Sequence, residues 1–190
     1  MSSGTIVFID AGYLSALSKF FGGGKRLKLD IAKFANYLAE KEGFACEHIF
    51  YYTAPPFQSN KPTELEASLK AGYDSFVSKL RKQPNITIRE GRVQKIGEVF
   101  NQKGVDTLIT LDLYETAMAK KHFALILVSG DTDFVPVLDK VRQAFGAKIF
   151  LFYFTDRARG SIFSSSNHLY KAVDKTILLD EKDFLKNLIK

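Results

Sequence analysis

Residues 123–133 read FALILVSGDTD, six apolar residues followed by Ser-Gly and two carboxylates. A continuous apolar run of this length is typical of a strand buried on both faces of a parallel sheet. In an open parallel sheet, ligands bind in the crevice outside the carboxyl ends of the strands. The stretch therefore predicts a buried strand, Phe123 to Val128, that delivers Asp131 and Asp133 to a functional edge.

The beginning of the chain has a similar arrangement, because the β-branched and aromatic run at residues 5–9 ends at Asp10. If the two strands are neighbours, Asp10 converges with Asp131 and Asp133. Carboxylates a few ångströms apart cannot all stay ionised without a countercharge, and Mg²⁺ or Mn²⁺ is the usual solution. Asp106, in the first turn of a predicted helix, is the natural fourth member.

Each carboxylate also has a purely structural interpretation. Asp10 and Asp133 could cap helices, and Asp106 could complement a helix dipole. Asp131 is harder to explain in this way, because the SGDTD stretch contains other candidate caps. Asp112 is six residues beyond Asp106 and points about 240° around a helix from it, so we predict a supporting residue or a surface charge.

The rest of the chain alternates between strand and helix patterns. We predict strands at residues 48–53, 86–89, 147–154 and 176–179, helices at 30–43, 63–80, 105–121, 133–145 and 180–189, and a loop at 156–167. Strands that are apolar on both faces and alternate with helices predict a three-layer αβα sandwich around a mostly parallel sheet. We expect one domain over residues 1–190.

Composition excludes several classes of protein. With 190 residues, 46% of them apolar, the chain can bury a full core, and it is not natively disordered. No apolar run approaches the roughly 20 residues of a membrane-spanning helix, and residues 1–5 lack a basic region that precedes an apolar one. Cys46 has no second cysteine for a disulfide or a zinc site, and we expect a small buried hydrophobe. These features favour a cytoplasmic protein without membrane association.

The positive charge is segregated along the chain. Residues 11–29 hold four basic residues and no acid, and residues 79–103 hold seven basic residues and two acids, whereas the net charge of the whole chain is +6. A polyanion partner requires such segregation, although a solvated surface is an equally open interpretation. The candidate backbone contacts are Lys25, Arg26, Lys28, Arg89, Arg92 and Lys95, and Tyr13, Phe20 or Phe21 could stack bases.

The sequence lacks the motifs of several other kinds of enzyme and binding site. The GGGKR stretch at residues 22–26 lacks the Ser or Thr that follows Lys in a phosphate-binding loop, so a flexible basic loop is expected. A dehalogenase-like phosphatase needs a second Asp two residues after the first, and this position is Gly12. No GxSxG motif is present, and the histidines, expected to be satisfied or at the surface, have no metal-ligand spacing: His48, His122 and His168.

Three motifs together resemble the NYN domain in its LabA-like (DUF88) branch, over about residues 5–154. They are FIDAGYL at residues 8–14, KGVD at 103–106 and VSGDTDF at 128–134. NYN domains resemble PIN-like nucleases, in which a central parallel sheet presents an acidic cluster that binds Mg²⁺ or Mn²⁺ and hydrolyses RNA. The resemblance implies that four residues are catalytic and bind the metal: Asp10, Asp106, Asp131 and Asp133. It also matches Asp112 to a further acid common in the family.

The resulting hypothesis is a metal-dependent ribonuclease acting on single-stranded or structured RNA. Lys103, Ser129 and Thr132 are the expected supporting residues, with Lys103 placed to neutralise a phosphate oxygen. Many family members have Asp-Gly-x-Asn after the first strand, whereas Ala11 and Tyr13 stand at the Gly and Asn places here. The alternative is therefore a non-catalytic module that binds nucleic acid or protein. A homodimer is a further expectation from the resemblance.

Overall fold

The computed structural model describes residues 3–97, 99–119, 123–156, 161, 163 and 166–189. Its strands are β1 (Gly4–Asp10), β2 (Ala45–Thr53), β3 (Ile86–Glu90), β4 (Arg92–Ile96), β5 (Val99–Lys103), β6 (Ala124–Val128), β7 (Lys148–Tyr153) and β8 (Lys175–Leu178). Its helices are α1 (Ala11–Phe21), α2 (Ile31–Lys41), α3 (Glu64–Arg81), α4 (Val105–Ala119), α5 (Val135–Phe145), α6 (Asn167–Lys171) and α7 (Glu181–Leu185). A short 3₁₀ turn, Thr132–Phe134, precedes α5.

A parallel six-stranded sheet in the order β3-β2-β1-β6-β7-β8 forms the middle layer. Helices α1, α2, α3 and α7 pack on one face, and α4, α5 and α6 pack on the other. All five residues of β6 are buried, as expected for a strand covered on both sides. The predicted three-layer αβα fold is confirmed.

The strand order reverses between β1 and β6. From β1 the sheet grows through β2 to β3, and from β6 it grows in the opposite direction through β7 to β8. Ile9 pairs with Val128, so Asp10 and Ser129 follow next to each other at the carboxyl edge. This reversal is the position at which open α/β sheets bind their ligands.

Several local signals act as predicted. Asp30 caps α2 through the Lys33 N–H, and Gly43 follows the helix with a φ of +79°, a conformation that favours glycine. Thr63 and Glu66 form both hydrogen bonds of a capping box at the start of α3. These local hydrogen bonds fix the helix boundaries independently of the core.

Three parts of the secondary structure differ from the prediction. The hairpin of β4 and β5 and the short helix α6 were not predicted; α6 begins at the last residue of the expected loop, where Ser166 caps it. The predicted helix at 180–189 is wrong beyond Leu185. Leu188 instead forms an antiparallel bridge with Leu29, and the Ile189 N–H donates to the Lys28 carbonyl. These backbone hydrogen bonds to the segment before α2 replace the helical ones. The predicted end of α4, at residues 120–121, lies outside the described residues.

The cysteine and the histidines have ordinary surroundings. Cys46 is half-buried rather than buried, its Sγ lies 3.6 Å from the His48 carbonyl oxygen, and burial raises the pKa of the thiol to about 11. His48 is hydrogen-bonded to Thr87, and His168 is exposed, as expected, whereas His122 lies outside the described residues. Within the described ranges, no helix has the length and apolar content that a bilayer crossing requires.

Candidate active site at the carboxyl edge of the sheet

Asp10 is both the last residue of β1 and the N-cap of α1. Its Oδ1 accepts hydrogen bonds from the N–H groups of Gly12, at 2.9 Å, and Tyr13, at 3.2 Å. Its Oδ2 lies 3.4 Å from the hydroxyl of Ser129. Asp10 can therefore cap α1 and also belong to the site, because Oδ1 accepts from the helix N–H groups and Oδ2 faces Ser129 at the end of β6.

Ser129 connects the two strand ends. Its side chain is fully buried, and its Oγ also accepts a hydrogen bond from the Asp131 N–H at 3.3 Å. Asp131 Oδ1 in turn accepts from the Asp133 N–H at 2.9 Å, which caps the 3₁₀ turn. Thr132, the first residue of that turn, is exposed. The strand end and the turn thus fix the backbone that carries both late aspartates.

The four predicted aspartates act on one another electrostatically. Burial raises the pKa of Asp10, and the charges of Asp106 and Asp131 raise it further, against the lowering effect of its backbone hydrogen bonds. Partial desolvation raises the pKa of Asp106, and the charges of Asp131 and Asp133 add to it. The structure therefore brings the four carboxylates to one edge, where neighbouring charges add to the cost of ionising Asp10 and Asp106.

The donor chemistry of this edge fits a hard divalent cation, because every candidate ligand is a carboxylate oxygen. Among the described residues, however, no three His, Cys, Asp or Glu side chains lie close enough to hold one ion. The carboxylates are therefore close enough to interact electrostatically, but they do not surround a single position as the ligands of one ion would. Asp106 and Asp133 are exposed and have the freedom to rotate that closing the shell would require.

A family model for the NYN domain matches residues 4–180 of the chain. The chain belongs to the NYN domain family. NYN domains are part of the PIN-like nuclease superfamily, and the match extends past the predicted motif region into the last strand of the sheet. The fold is similar to the crystal structure of a protein of unknown function from Vibrio parahaemolyticus, with 21% identity, a TM-score of 0.63 and 96% of each chain covered. No curated protein matches the chain.

A residue of this NYN domain that sequence analysis missed is Gln102, on β5. A Cβ on Gly12 would lie 3.4 Å from Gln102 Oε1 and 3.2 Å from Asp10 Oδ1, so the amide oxygen stands beside the cap of α1. The neighbouring Lys103 is exposed at the end of β5, two residues before α4 begins. The sequence offered no signal for Gln102, because only the unpredicted hairpin brings it to the edge.

Asp112 faces the core, so its interpretation as a surface charge is wrong. Its side chain is 2% exposed, and it forms a two-bond ion pair with Arg89, with Nε to Oδ2 at 2.8 Å and Nη2 to Oδ1 as the second bond. The Tyr52 hydroxyl donates to the same Oδ2 at 2.9 Å. The predicted contact of Arg89 with RNA would have to share a guanidinium that this buried carboxylate already holds, although the Arg89 side chain is 39% exposed.

The aromatic residues of α1 are mostly used in packing. The Tyr13 hydroxyl accepts from the Phe154 N–H at 2.7 Å, and its ring packs edge-on against Phe163 and close to Gly130, where a Cβ would lie 2.8 Å from the ring. The predicted stacking of Tyr13 on a base is therefore limited by the contacts that its ring and hydroxyl already make. Phe21 packs against Phe154, whereas Phe20 remains 46% exposed.

The other predicted RNA contacts are exposed, and they lie on two separate elements. Arg92 and Lys95 are on the β4–β5 hairpin, where the Lys95 ammonium lies 5.5 Å from the Phe100 ring centroid. Lys25, Arg26 and Lys28 precede α2. Just beyond the GGGKR loop, the Ser18 hydroxyl donates to the Leu27 carbonyl at 2.9 Å and fixes the backbone between Arg26 and Lys28.

Proposed function

We propose that this NYN domain is a metal-dependent ribonuclease of the LabA-like (DUF88) branch that hydrolyses RNA phosphodiester bonds. The observation that carries the proposal is the placement of four aspartates at the point where the strand order reverses, with Ser129 connecting Asp10 to Asp131. The catalytic and metal-binding residues are Asp10, Asp106, Asp131 and Asp133. A site that raises the pKa of its own carboxylates gains free energy when a cation neutralises them.

The residues of the chain have distinct tasks in this proposal. When bound, Mg²⁺ or Mn²⁺ supplies Lewis acidity at the scissile phosphate and a water of lowered pKa. Asp10 is held by the N-terminus of α1 and by Ser129, so it is the fixed member of the set. Lys103 is exposed beside the edge and can neutralise a phosphate oxygen. The choice of RNA rests on the family and not on a contact that reads a 2′-hydroxyl.

The second candidate function is an RNA-binding module without turnover. It is favoured by the absence, among the described side chains, of three potential ligands within reach of one ion. It is also favoured by Tyr13, whose hydroxyl bonds to the Phe154 backbone and so offers no polar contact to a substrate. This candidate predicts retention of RNA in EDTA and no cleavage in any divalent cation.

The experiment that separates the two functions follows end-labelled single-stranded and hairpin RNA with Mn²⁺, with Mg²⁺ and with EDTA. A ribonuclease cuts in at least one metal, stops in EDTA and loses cutting in Asp131→Asn purified in parallel, a variant that guards against a contaminating nuclease. Retention of RNA without cutting, in all three conditions, assigns the binding module instead.

A further inference from the structure

A cavity of about 440 Å³ lies beside the acidic edge, on the sheet face that α1 and α3 cover. Its walls come from α1, from residues 26–29, from α3 and from Ile189, and Tyr51 of β2 also lines it. The volume falls within the range of small-molecule sites in proteins. Backbone hydrogen bonds fix the wall at residues 26–29, including that from the Ile189 N–H to the Lys28 carbonyl at 2.9 Å.

The charge of the lining has a single sign. Arg26, Lys28 and Lys79 line the cavity, and no Asp or Glu is among its described lining residues. Within the described part of the chain, none of these three cations forms an ion pair, whereas two cations of the neighbouring cleft on α3 are paired, Lys70 with Asp74 and Arg81 with Glu90. The two basic stretches of the sequence therefore meet at one cavity and leave its positive charge uncompensated.

Besides the three cations and three serines, the cavity is lined by apolar and aromatic side chains. Leu14 and Phe76 line it, and the Phe76 ring packs edge-on against the Tyr51 ring at 5.8 Å. Tyr51 is 7% exposed, and its hydroxyl makes no hydrogen bond to any residue that the structure describes. The Tyr51 hydroxyl is accessible from the cavity and can donate to or accept from a ligand, so a ligand with a flat apolar body and a polar edge is the complement of this surface.

The cavity is also close to the proposed catalytic edge. Tyr51 pairs with Ile9, and the next pair along the strands is Tyr52 with Asp10. Burial raises the pKa of Tyr51, the nearby Arg26 lowers it, and the charge of Asp10 raises it, so both sites lie within electrostatic reach of one hydroxyl. Along α1, Leu14 and Ser18 follow Asp10 by about one and two turns of helix.

We propose that this cavity binds one nucleotide of the RNA that the acidic edge acts on. The base lies between Leu14, Phe76 and the Tyr51 ring, with its polar edge toward the Tyr51 hydroxyl, and the phosphate contacts Arg26, Lys28 and Lys79. The identity of the polymer rests on the proposed function, whereas an anionic ligand with an aromatic body follows from the lining itself.

The test measures the affinity of fluorescein-labelled 12-nucleotide oligo(U) and oligo(A) by anisotropy in EDTA, where no metal-dependent cleavage occurs. Gly72→Trp narrows the cavity from α3, at a position where an added Cβ meets no atom within 4 Å. We expect Gly72→Trp and the double variant Arg26→Gln, Lys79→Gln to weaken binding more than tenfold, and Tyr51→Phe three- to tenfold. The double variant should also lower the slope of log K against log salt by about 0.7 per lost contact.

The controls are Gly72→Ala, which leaves the cavity open, and Lys82→Gln, which removes a nearby cation that does not line it. Both should bind RNA within twofold of the wild type, and each variant is first checked for cooperative urea unfolding. Unchanged affinity in folded Gly72→Trp and in the double variant would overturn the proposal, even if Asp131→Asn abolishes cleavage. Loss of binding in these variants, with no cleavage by the wild type, would support the cavity and reject the ribonuclease.

Discussion

Ser129 donates a hydrogen bond to Asp10 Oδ2 at 3.4 Å and thereby connects the ends of the two central strands. The same hydroxyl oxygen accepts from the Asp131 N–H, so one buried side chain sets the spacing between an early and a late aspartate. The sheet alone fixes only the backbone positions of these residues. Ser129 is therefore a positioning residue for the acidic edge.

Replacing Ser129 by Ala should separate positioning from binding. We expect a loss of about 1 kcal/mol in the free energy of unfolding, because the Asp131 N–H loses its partner. Cleavage should fall about 10- to 100-fold, as for other residues that orient metal ligands, while RNA affinity in EDTA is unchanged. Urea unfolding and a cleavage time course measure both effects. Full cleavage activity in Ser129→Ala would contradict the positioning role.

Divalent metal should stabilise the wild type and leave Asp131→Asn unaffected. A ligand that binds only the folded state adds about 2.7 kcal/mol at 100 times its dissociation constant. Thermal unfolding with increasing Mn²⁺, and with Ca²⁺ as a second hard cation, measures the effect without any RNA. Equal shifts in the wild type and in Asp131→Asn would place the bound metal elsewhere on the protein.

The raised pKa of Asp10 predicts a pH-dependent stability with a defined sign. A carboxyl group whose pKa is higher in the folded state adds stability below its ordinary value near 3.9, and this stability is lost as the pH rises through the folded pKa. Asp10→Asn keeps a capping side chain for α1 and removes the charge. The variant should therefore gain stability relative to the wild type between pH 4 and 7.

Urea unfolding at several pH values measures this gain, with Glu40→Gln, an exposed carboxylate on α2, as the control for the general loss of a charge. If the difference in the free energy of unfolding between Asp10→Asn and the wild type stays constant across this range, the pKa of Asp10 is not raised in the folded state.

Breaking the Arg89–Asp112 pair should cost far more than breaking a surface pair. Arg89→Gln leaves Asp112 buried, with the Tyr52 hydroxyl as its remaining partner; because Arg89 itself is 39% exposed, we expect the low end of the cost of breaking a buried pair, about 3 kcal/mol. Lys70→Gln, which breaks an exposed pair with Asp74 on α3, should cost about 0.5 kcal/mol. Equal free energies of unfolding for the two variants would show that the Arg89–Asp112 pair stabilises the fold no more than the exposed Lys70–Asp74 pair does.

The strand ends and helix caps were accessible from the sequence because their signals are local. Asp10 is the last residue of a buried strand, Asp131 comes three residues after another, and the capping box of Thr63 and Glu66 lies within four residues. The sheet rule then places the strand ends at a common edge without further information. For this reason the fold and the position of the acidic edge could be predicted together.

The unpredicted contacts depend on the register between distant elements. Arg89 meets Asp112 because β3 lies next to β2, with Arg89 beside Tyr52, and no local pattern shows that pairing. The hairpin that carries Gln102 has exposed side chains at most of its positions, so it lacks the alternation that marks a strand over a core. The sequence likewise could not show that the Tyr13 hydroxyl is occupied, because its partner, the Phe154 N–H, is 141 residues away.

The most direct test of the central claim is the single-turnover rate at which the wild type and Asp131→Asn cleave the same end-labelled RNA at saturating Mn²⁺. The predicted result is a metal-dependent rate in the wild type and a loss of at least about 100-fold in the variant, with RNA affinity retained, since removing a group that acts in the transition state lowers the rate and not the binding. Equal rates in the two proteins, or no cleavage by the wild type in either Mn²⁺ or Mg²⁺, would contradict the assignment of this edge as a ribonuclease active site.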